Sequence, residues 1–162
     1  MYVRYLTGTT WTAWISTTVS ALPFLAYSNT GSTPFPAAAY TAIPFYTSRE
    51  AVGGITMTSN LTITVPSAGL YDFELEVRVN GGSTNMPPVG TVLGISIDTV
   101  TAPTSLRPGY SAAGAIDSIS AIRLHCRERL AAGATRRAYL YNGGAATYQV
   151  ASAFIKVTRV GA

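Results

Sequence analysis

The chain has 162 residues, enough for one domain whose core needs no disulfide or metal to hold it together. Hydrophobic residues make up 48% of it and charged residues only 11%, with a formal net charge of +4, whereas globular proteins carry about 25% charged residues. The length excludes a multidomain enzyme, and the apolar content argues against a disordered tail. Either Ser, Thr, Ala and Gly cover much of the surface, or other copies of the chain do.

Few side chains are available for catalysis or metal binding. The single histidine, His125, and the single cysteine, Cys126, are neighbours in a predicted strand, so they point to opposite faces and cannot form a base–nucleophile pair. They cannot supply a four-ligand zinc site or an internal disulfide. We therefore expect a protein that is not an enzyme, with no catalytic residue, no metal and no cofactor.

The sequence also argues against membranes and nucleic acids as partners. No apolar run is long enough to cross a membrane, and the first ten residues lack the continuous apolar stretch of a signal peptide. The weak basic excess does not show the clustered Lys, Arg and aromatic residues of a nucleic-acid surface. We expect a chain that is intracellular when made, without membrane insertion and without nucleic-acid binding.

Residues 1–41 differ from the rest of the chain in composition. They hold almost no charge beyond Arg4, many Ser and Thr, and five residues that we assign to an assembly arm: Trp11, Trp14, Pro23, Pro34 and Pro36. Proline at this spacing prevents a long helix and fits an extended segment that lies against a partner. Two additional strands of the same domain are the alternative interpretation.

From residue 42 onward the sequence predicts a β-domain that spans residues 42–162. In the clearest strand Tyr71, Phe73, Leu75, Val77 and Val79 alternate with Asp72, Glu74, Glu76 and Arg78. The other predicted strands cover residues 61–65, 93–98, 116–130, 137–141 and 149–160, with turns at 80–82, 87–88, 107–109, 132–133 and 142–144. No helical period lasts three turns. The pattern is typical of an all-β sandwich or a jelly roll.

An acidic stripe on one strand is the best candidate for a carboxylate site. Asp72, Glu74 and Glu76 alternate along one face, about 6.6–7 Å between neighbours. This spacing suits an inverting glycosidase, which would use Asp72 and Glu76, or a calcium site, although no calcium-loop pattern is present. We favour the alternative in which the stripe is a solvated or interface face of an antiparallel strand.

A basic stripe on another strand complements the acidic one. Arg123, Arg127 and Arg129 share a face with His125, while Ile122, Leu124, Cys126 and Leu130 occupy the other face. We hypothesise that the two stripes pair, within a subunit or between subunits, because Arg can hold a carboxylate through two hydrogen bonds. Both are predicted to be interface charge stripes.

Tyrosines near predicted turns offer a candidate binding surface. Tyr139 and Tyr141 lie beside the Asn142-Gly-Gly turn, and Tyr110 follows the Arg107-Pro-Gly turn. A tyrosine presents a large apolar ring with a polar tip, which suits protein interfaces and sugar stacking. These three residues are predicted either to bind a glycan through loops or to be core and interface residues.

Several segments carry a resemblance to known proteins. The segment Thr62-Ile-Thr-Val-Pro-Ser-Ala-Gly-Leu-Tyr-Asp-Phe73 resembles the signature of complement globular-head and tumour-necrosis-factor jelly rolls, and Leu130-Ala-Ala-Gly133 is similar to their strand–turn motif. Ala134 stands where that turn usually has an acid, so calcium ligands are not carried over. The ending, residues 152–161, resembles the last strand as found in bacteriophage structural proteins, and Gly8-Thr-Thr-Trp-Thr-Ala-Trp14 is similar to phage tail and fibre modules.

The resemblance implies a jelly-roll β-sandwich that forms a homotrimer around a threefold axis, with loops exposed at one end. From it we predict a bacteriophage virion structural protein on the outer surface of the particle. As a capsid decoration protein it would stabilise the head, docked through its N-terminal arm onto major capsid or tail proteins. The alternative is a minor tail protein or receptor-binding knob that recognises a host-surface glycan or protein.

Overall fold

The computed structural model describes residues 2–3, 6–7, 10–11, 15–16, 22–29, 33–80, 91–109, 111–115 and 119–162. These residues form strands, turns and loops without a helix, so within them no helix is present that could cross a membrane. The strands in chain order are β1 (Tyr2–Val3), β2 (Leu6–Thr7), β3 (Thr10–Trp11), β4 (Ile15–Ser16), β5 (Phe24–Asn29), β6 (Thr33–Phe35), β7 (Ala39–Ala42), β8 (Thr47–Val52), β9 (Thr56–Thr58), β10 (Thr62–Thr64), β11 (Gly69–Asn80), β12 (Val92–Asp98), β13 (Ser111–Ala115), β14 (Ile119–Leu130), β15 (Thr135–Asn142), β16 (Tyr148–Val150) and β17 (Ser152–Gly161).

Two antiparallel sheets make up the sandwich. The five-stranded sheet has the order β14-β11-β17-β5-β8, and the six-stranded sheet has the order β13-β12-β15-β10-β9 with β7 also paired to β15. From β10 to β15 the chain crosses repeatedly between the two sheets, as in a jelly roll. The predicted all-β fold class is confirmed.

The core lies between the two sheets and follows from the alternation in β11. Tyr71, Phe73 and Val77 are fully buried and Leu75 nearly so, because period-2 alternation places them all on one face of the strand. They belong to one hydrophobic cluster with residues of the opposite sheet such as Ile95. The outer face of β11 is therefore free to carry the acidic stripe.

The sandwich begins earlier than predicted. β5 lies within the five-stranded sheet between β17 and β8, and β7 pairs with β15. Leu25 and Phe35 are buried in the core. The assignment of residues 22–29 and 33–41 to an arm is therefore wrong, and the alternative of extra strands is correct for these residues.

The prolines assigned to the arm belong to this part of the sandwich. The carbonyl of Pro23 accepts a hydrogen bond from the Arg159 N–H, with 2.9 Å between N and O. Pro34 lies opposite Gln149 in the two-stranded β6–β16 ladder, and Pro36 directly follows β6. Because proline disfavours a helix, composition alone suggested an extended arm. Proline is also tolerated in an edge strand, and composition does not distinguish the two cases.

For residues 1–21 the arm stays a prediction. Here the structure describes only four two-residue strands, in which β1 pairs with β4 and β2 pairs with β3. Trp11 is the last residue of β3, and Trp14 lies outside the described residues.

The strand boundaries differ from the sequence estimates by a few residues. β15 extends beyond the predicted range at both ends, and the predicted strand 149–160 is divided between β16 and β17. The turn at residues 132–133 is confirmed, since Gly133 has a φ of 75° and donates its N–H to the Val65 carbonyl at 2.9 Å. The predicted turns at 80–82 and 87–88 include residues that the structure does not describe, from 81 to 90.

A loop covers the outer face of the six-stranded sheet. The hydroxyl of Tyr139 donates to the Val100 carbonyl at 2.9 Å, and Leu106 packs so closely over Gly94 that a Cβ there would lie 3.0 Å from it. Ser96, at an outward position of β12, is fully buried as a result. Residues 99–109 thus leave little of β12 exposed on either face.

Candidate functional site

The acidic and basic stripes pair within one chain. β11 and β14 are neighbours, and their register sets Asp72 opposite Arg127 and Glu76 opposite Arg123. Arg127 holds Asp72 through two hydrogen bonds, Nε to Oδ1 at 2.5 Å and Nη2 to Oδ2 at 3.0 Å. The assignment of these residues to a subunit interface stays a prediction.

The other two carboxylates of β11 also have cationic partners. Glu76 accepts from Arg123 Nε through Oε2 at 2.6 Å and from Arg78 Nε through Oε1. Glu74 accepts from Lys156 Nζ of β17 at 2.6 Å. Arg129 differs from the other arginines of its stripe, because it donates to the Ala162 carbonyl at 2.6 Å.

Pairing with arginine lowers the pKa of two carboxylates of the acidic stripe, Asp72 and Glu76. The Arg127 hydrogen bond lowers the pKa of Asp72 and outweighs the effect of burial. Burial acts to raise the pKa of Glu76, but its contacts with Arg78 and Arg123 bring about a net lowering. A glycosidase needs one carboxyl with a raised pKa as its general acid, and the lowered pKa values of Asp72 and Glu76 do not support that role. Within the described residues, no three His, Cys, Asp or Glu side chains come together to hold a metal ion.

The paired stripes give the outer face of the five-stranded sheet a layered surface. The side chains of Asp72 and Glu76 are 15% and 20% exposed, whereas those of Arg127 and Arg123 are 55% and 71% exposed. The guanidinium groups therefore lie over the carboxylates. Phe154, half-buried on β17, sits opposite Glu76 and adds an apolar side chain to this face.

A second ion cluster was missed at the sequence level. Glu128 lies on the inner face of β14, its side chain only 8% exposed, and binds Arg136 and Arg107. Arg136 donates through Nε and Nη2 at 2.8 and 2.7 Å, and Arg107 donates through Nη2 at 2.7 Å. Burial acts to raise the pKa of Glu128, yet the hydrogen bonds from Arg136 and Arg107 lower it overall. The sequence did contain a signal for this cluster, because Glu128 is an acid at an inward position of β14, where the other inward residues from 122 to 130 are apolar.

His125 and Cys126 lie on opposite faces, as predicted. Cys126 is buried in the core, and this burial, with a smaller contribution from Glu128, raises its thiol pKa to about 11. The thiol therefore stays protonated and unreactive at neutral pH. His125 is exposed on the outer face, with Nε2 3.8 Å from Asp72 Oδ2.

The three tyrosines do not form a common binding surface. Tyr139 is only 2% exposed beneath the 99–109 loop, so its ring cannot serve as a platform. Tyr141 is half-buried, and its ring centroid lies 4.8 Å from that of Tyr40 on β7. Tyr110 lies outside the described residues.

Comparison with known proteins identifies the fold. No family model and no curated protein sequence matches the chain. The globular domain of a zebrafish complement 1qA protein is similar, with a TM-score of 0.60 at 10% identity, over 86% of this chain and 97% of the other. Murine APRIL at pH 5.0 has a TM-score of 0.60 at 12% identity, over 86% and 99% of the two chains. Eiger TNF from S. frugiperda has a TM-score of 0.52 at 15% identity, over 85% and 93%.

These likenesses span most of the chain and show its architecture. The chain has an all-β jelly-roll fold of the kind found in the complement 1q globular domain and in tumour-necrosis-factor proteins. The fold implied by the motif in residues 62–73 is thereby confirmed. At 10–15% identity the likeness establishes the fold alone, and function has to be argued from this chain's own surfaces.

Proposed function

We propose that the chain is a non-enzymatic structural protein that assembles as a homotrimer through the outer face of its five-stranded sheet. One observation carries the proposal: the carboxylates on that face are already paired with cations of the same chain. Covering an unpaired charge in an interface is costly, whereas a face with prepaired charges can be covered at a smaller desolvation penalty. The lowered pKa values of Asp72 and Glu76 also make these two residues unsuited to general acid catalysis.

The composition of this face fits the same role. Arginine and aromatic residues are enriched in protein interfaces, and the face presents Arg123, Arg127 and Phe154 together. The sequence resemblance implies a threefold trimer, and a subunit covered by two others can have a charge-poor surface. The first consideration supports assembly through this sheet, and the second supports a trimer without indicating a face.

Substitution of Phe154 is expected to break the trimer. The wild-type protein should have three times the chain mass of 17.0 kDa by light scattering coupled to gel filtration. Phe154→Arg should yield folded monomers, because it adds a cation to a face that already carries Arg123 and Arg127 and removes the apolar contact. Val92→Arg is the matched control, since Val92 is an exposed residue of the six-stranded sheet. A monomeric wild type contradicts the trimer, and a trimeric Phe154→Arg variant contradicts this choice of face.

Within a particle, we propose that the trimer is a capsid decoration protein on the outer surface of a bacteriophage virion, made in the host cytoplasm. Residues 1–21, including Trp11 and Trp14, would dock onto major capsid or tail proteins. The support is the similarity of residues 8–14 to phage tail and fibre modules and of residues 152–161 to the last strand of phage structural proteins. Decoration of this kind stabilises a shell by bridging neighbouring subunits.

Removal of residues 1–21 tests the docking role. The shortened protein begins just before β5 and should keep its fold and oligomeric state, because the sandwich strands start at Phe24. Its binding to undecorated particles in a co-sedimentation assay should be lost. If the shortened protein binds particles as well as the full chain does, docking through residues 1–21 is contradicted.

Recognition of a host-surface glycan, by a tail protein or receptor-binding knob, is the second candidate. It is favoured by the half-buried Tyr40–Tyr141 pair, whose rings are 4.8 Å apart. Paired aromatic rings are suitable for stacking against a sugar. Binding on a glycan array without binding to particles would support this candidate over decoration.

A further inference from the structure

A groove with polar and apolar lining residues lies on the five-stranded sheet, next to the charge stripes. Its volume is about 380 Å³, and its lining comes from β5, β8, β11 and β17. The two middle strands contribute short side chains, Ser28 and Ser152, while the flanking strands contribute Arg49 and Arg78. Two long cationic side chains thus flank a floor in which the two serines lie with Asn29, Ala153 and Phe154.

Both arginines donate a hydrogen bond through Nε, which leaves their Nη groups available to a ligand. Arg49 donates through Nε to Ser28 Oγ at 3.1 Å, and Arg78 donates through Nε to Glu76. Among the residues that the structure describes, the Nη groups of Arg49 and Arg78 have no partner. Anchoring at Nε limits the side-chain freedom that a ligand would otherwise have to remove.

The one carboxylate in the lining does not cancel this positive charge. Glu76 engages Arg78 through Oε1 and Arg123 through Oε2, so both of its oxygens are occupied by cations. Ser28, only 5% exposed, accepts from Arg49 and keeps its own hydroxyl proton for donation. The groove therefore offers guanidinium and hydroxyl donors and a net positive lining.

We propose that this groove binds a tetrahedral oxyanion, a sulfate or phosphate group, between Arg49 and Arg78. Guanidinium groups match the paired oxygens of such anions, and each contact is a charge-assisted hydrogen bond. The hydroxyls of Ser28 and Ser152 complete the donor set from the floor. All of the lining comes from one chain, so the site goes beyond the proposed trimer and needs no second subunit to form; it shares Phe154 with the sheet face proposed for the trimer.

Titration of the full-length protein with inorganic sulfate and inorganic phosphate tests the site. With ionic strength held constant by sodium chloride, the backbone amide NMR signals of Ser28, Asn29 and Ser152 should shift saturably. Arg49→Gln should weaken binding at least about tenfold, because it removes a charge-assisted contact. Arg49→Lys keeps the positive charge but lacks the planar guanidinium that can donate two parallel hydrogen bonds. Its affinity should lie between those of the wild type and Arg49→Gln.

Arg129→Gln is the matched control, since Arg129 is an exposed arginine at the far end of the same sheet face. It should leave the affinity unchanged. Equal weakening by Arg129→Gln and Arg49→Gln, or shifts that grow linearly without saturation, would show general charge screening and overturn the proposal. If saturable binding is found, the affinity for a sugar sulfate or sugar phosphate is compared with that for the free anion. Tighter binding of the sugar compound indicates that the ligand is an anionic group carried by a saccharide. Equal affinity indicates that the ligand is the free ion. Gel filtration of the same samples measures the oligomeric state, so the outcome for the anion site is distinguished from the outcome for the trimer.

Discussion

Glu128→Ala is expected to lower the free energy of unfolding by about 3–5 kcal/mol, the cost of breaking a buried ion pair by removing one partner. The substitution leaves the Arg136 guanidinium, 14% exposed, without its two hydrogen bonds to the carboxylate. It also releases Arg107, which ties the 99–109 loop to β14. Urea unfolding followed by circular dichroism measures the change.

Two further variants separate charge from size. Glu128→Gln keeps the shape of the side chain but not its charge, and should destabilise in the same direction. Glu74→Gln is the control, because Glu74 is a half-exposed carboxylate on the outer face of the same sheet and should change stability by no more than about 0.5 kcal/mol. A loss below 1 kcal/mol for Glu128→Ala would mean that the cluster contributes little net stability.

The pH dependence of stability provides a second readout of this cluster. The pKa of Glu128 is lower in the folded protein than in the unfolded chain, where a glutamate has a pKa of about 4.3. Its contribution is therefore complete above the unfolded pKa and is lost as the pH falls through the folded value. Asp72 and Glu76 act with the same sign. Stability should fall less steeply on acidification in Glu128→Gln than in the wild type.

The regular strands were predictable because their side chains alternate without interruption. β11 lies between β14 and β17 in its sheet. Its apolar face is therefore buried in the core, and its charged face points outward. The pairing of Asp72 with Arg127 could be hypothesised from complementary charge. That it occurs within one chain follows from the adjacency of β11 and β14, which is a property of the jelly-roll connectivity and not of the local sequence.

The features that sequence reasoning missed depend on contacts between distant residues. Glu128 is stable at an inward position only because Arg107, in a loop 21 residues away, and Arg136, on the next strand, both reach it. Tyr139 occupies an outward position of β15, yet the 99–109 loop folds over it and uses its hydroxyl. Strand periodicity describes the sheet surface but not the loops that cover it.

Phe73→Ala is expected to cost about 3–5 kcal/mol of stability, the usual range for removing a buried aromatic ring from a packed core. Phe73 is fully buried at the middle of β11, opposite Cys126 on one side and Val157 on the other. Regular strands on both sides limit how far the sheet can relax into the cavity. Phe73→Leu keeps most of the volume and should cost clearly less.

Unfolding curves of Phe73→Ala and Phe154→Arg together separate fold from assembly. Phe73 faces the core and Phe154 lies on the outer face of the same sheet. Phe73→Ala should lower stability at every protein concentration, because the cavity lies inside a single chain. Phe154→Arg should remove the concentration dependence that a trimer gives to its unfolding midpoint. If Phe154→Arg instead destabilises the chain to the same extent at all concentrations as Phe73→Ala does, Phe154 supports the fold and not a subunit contact.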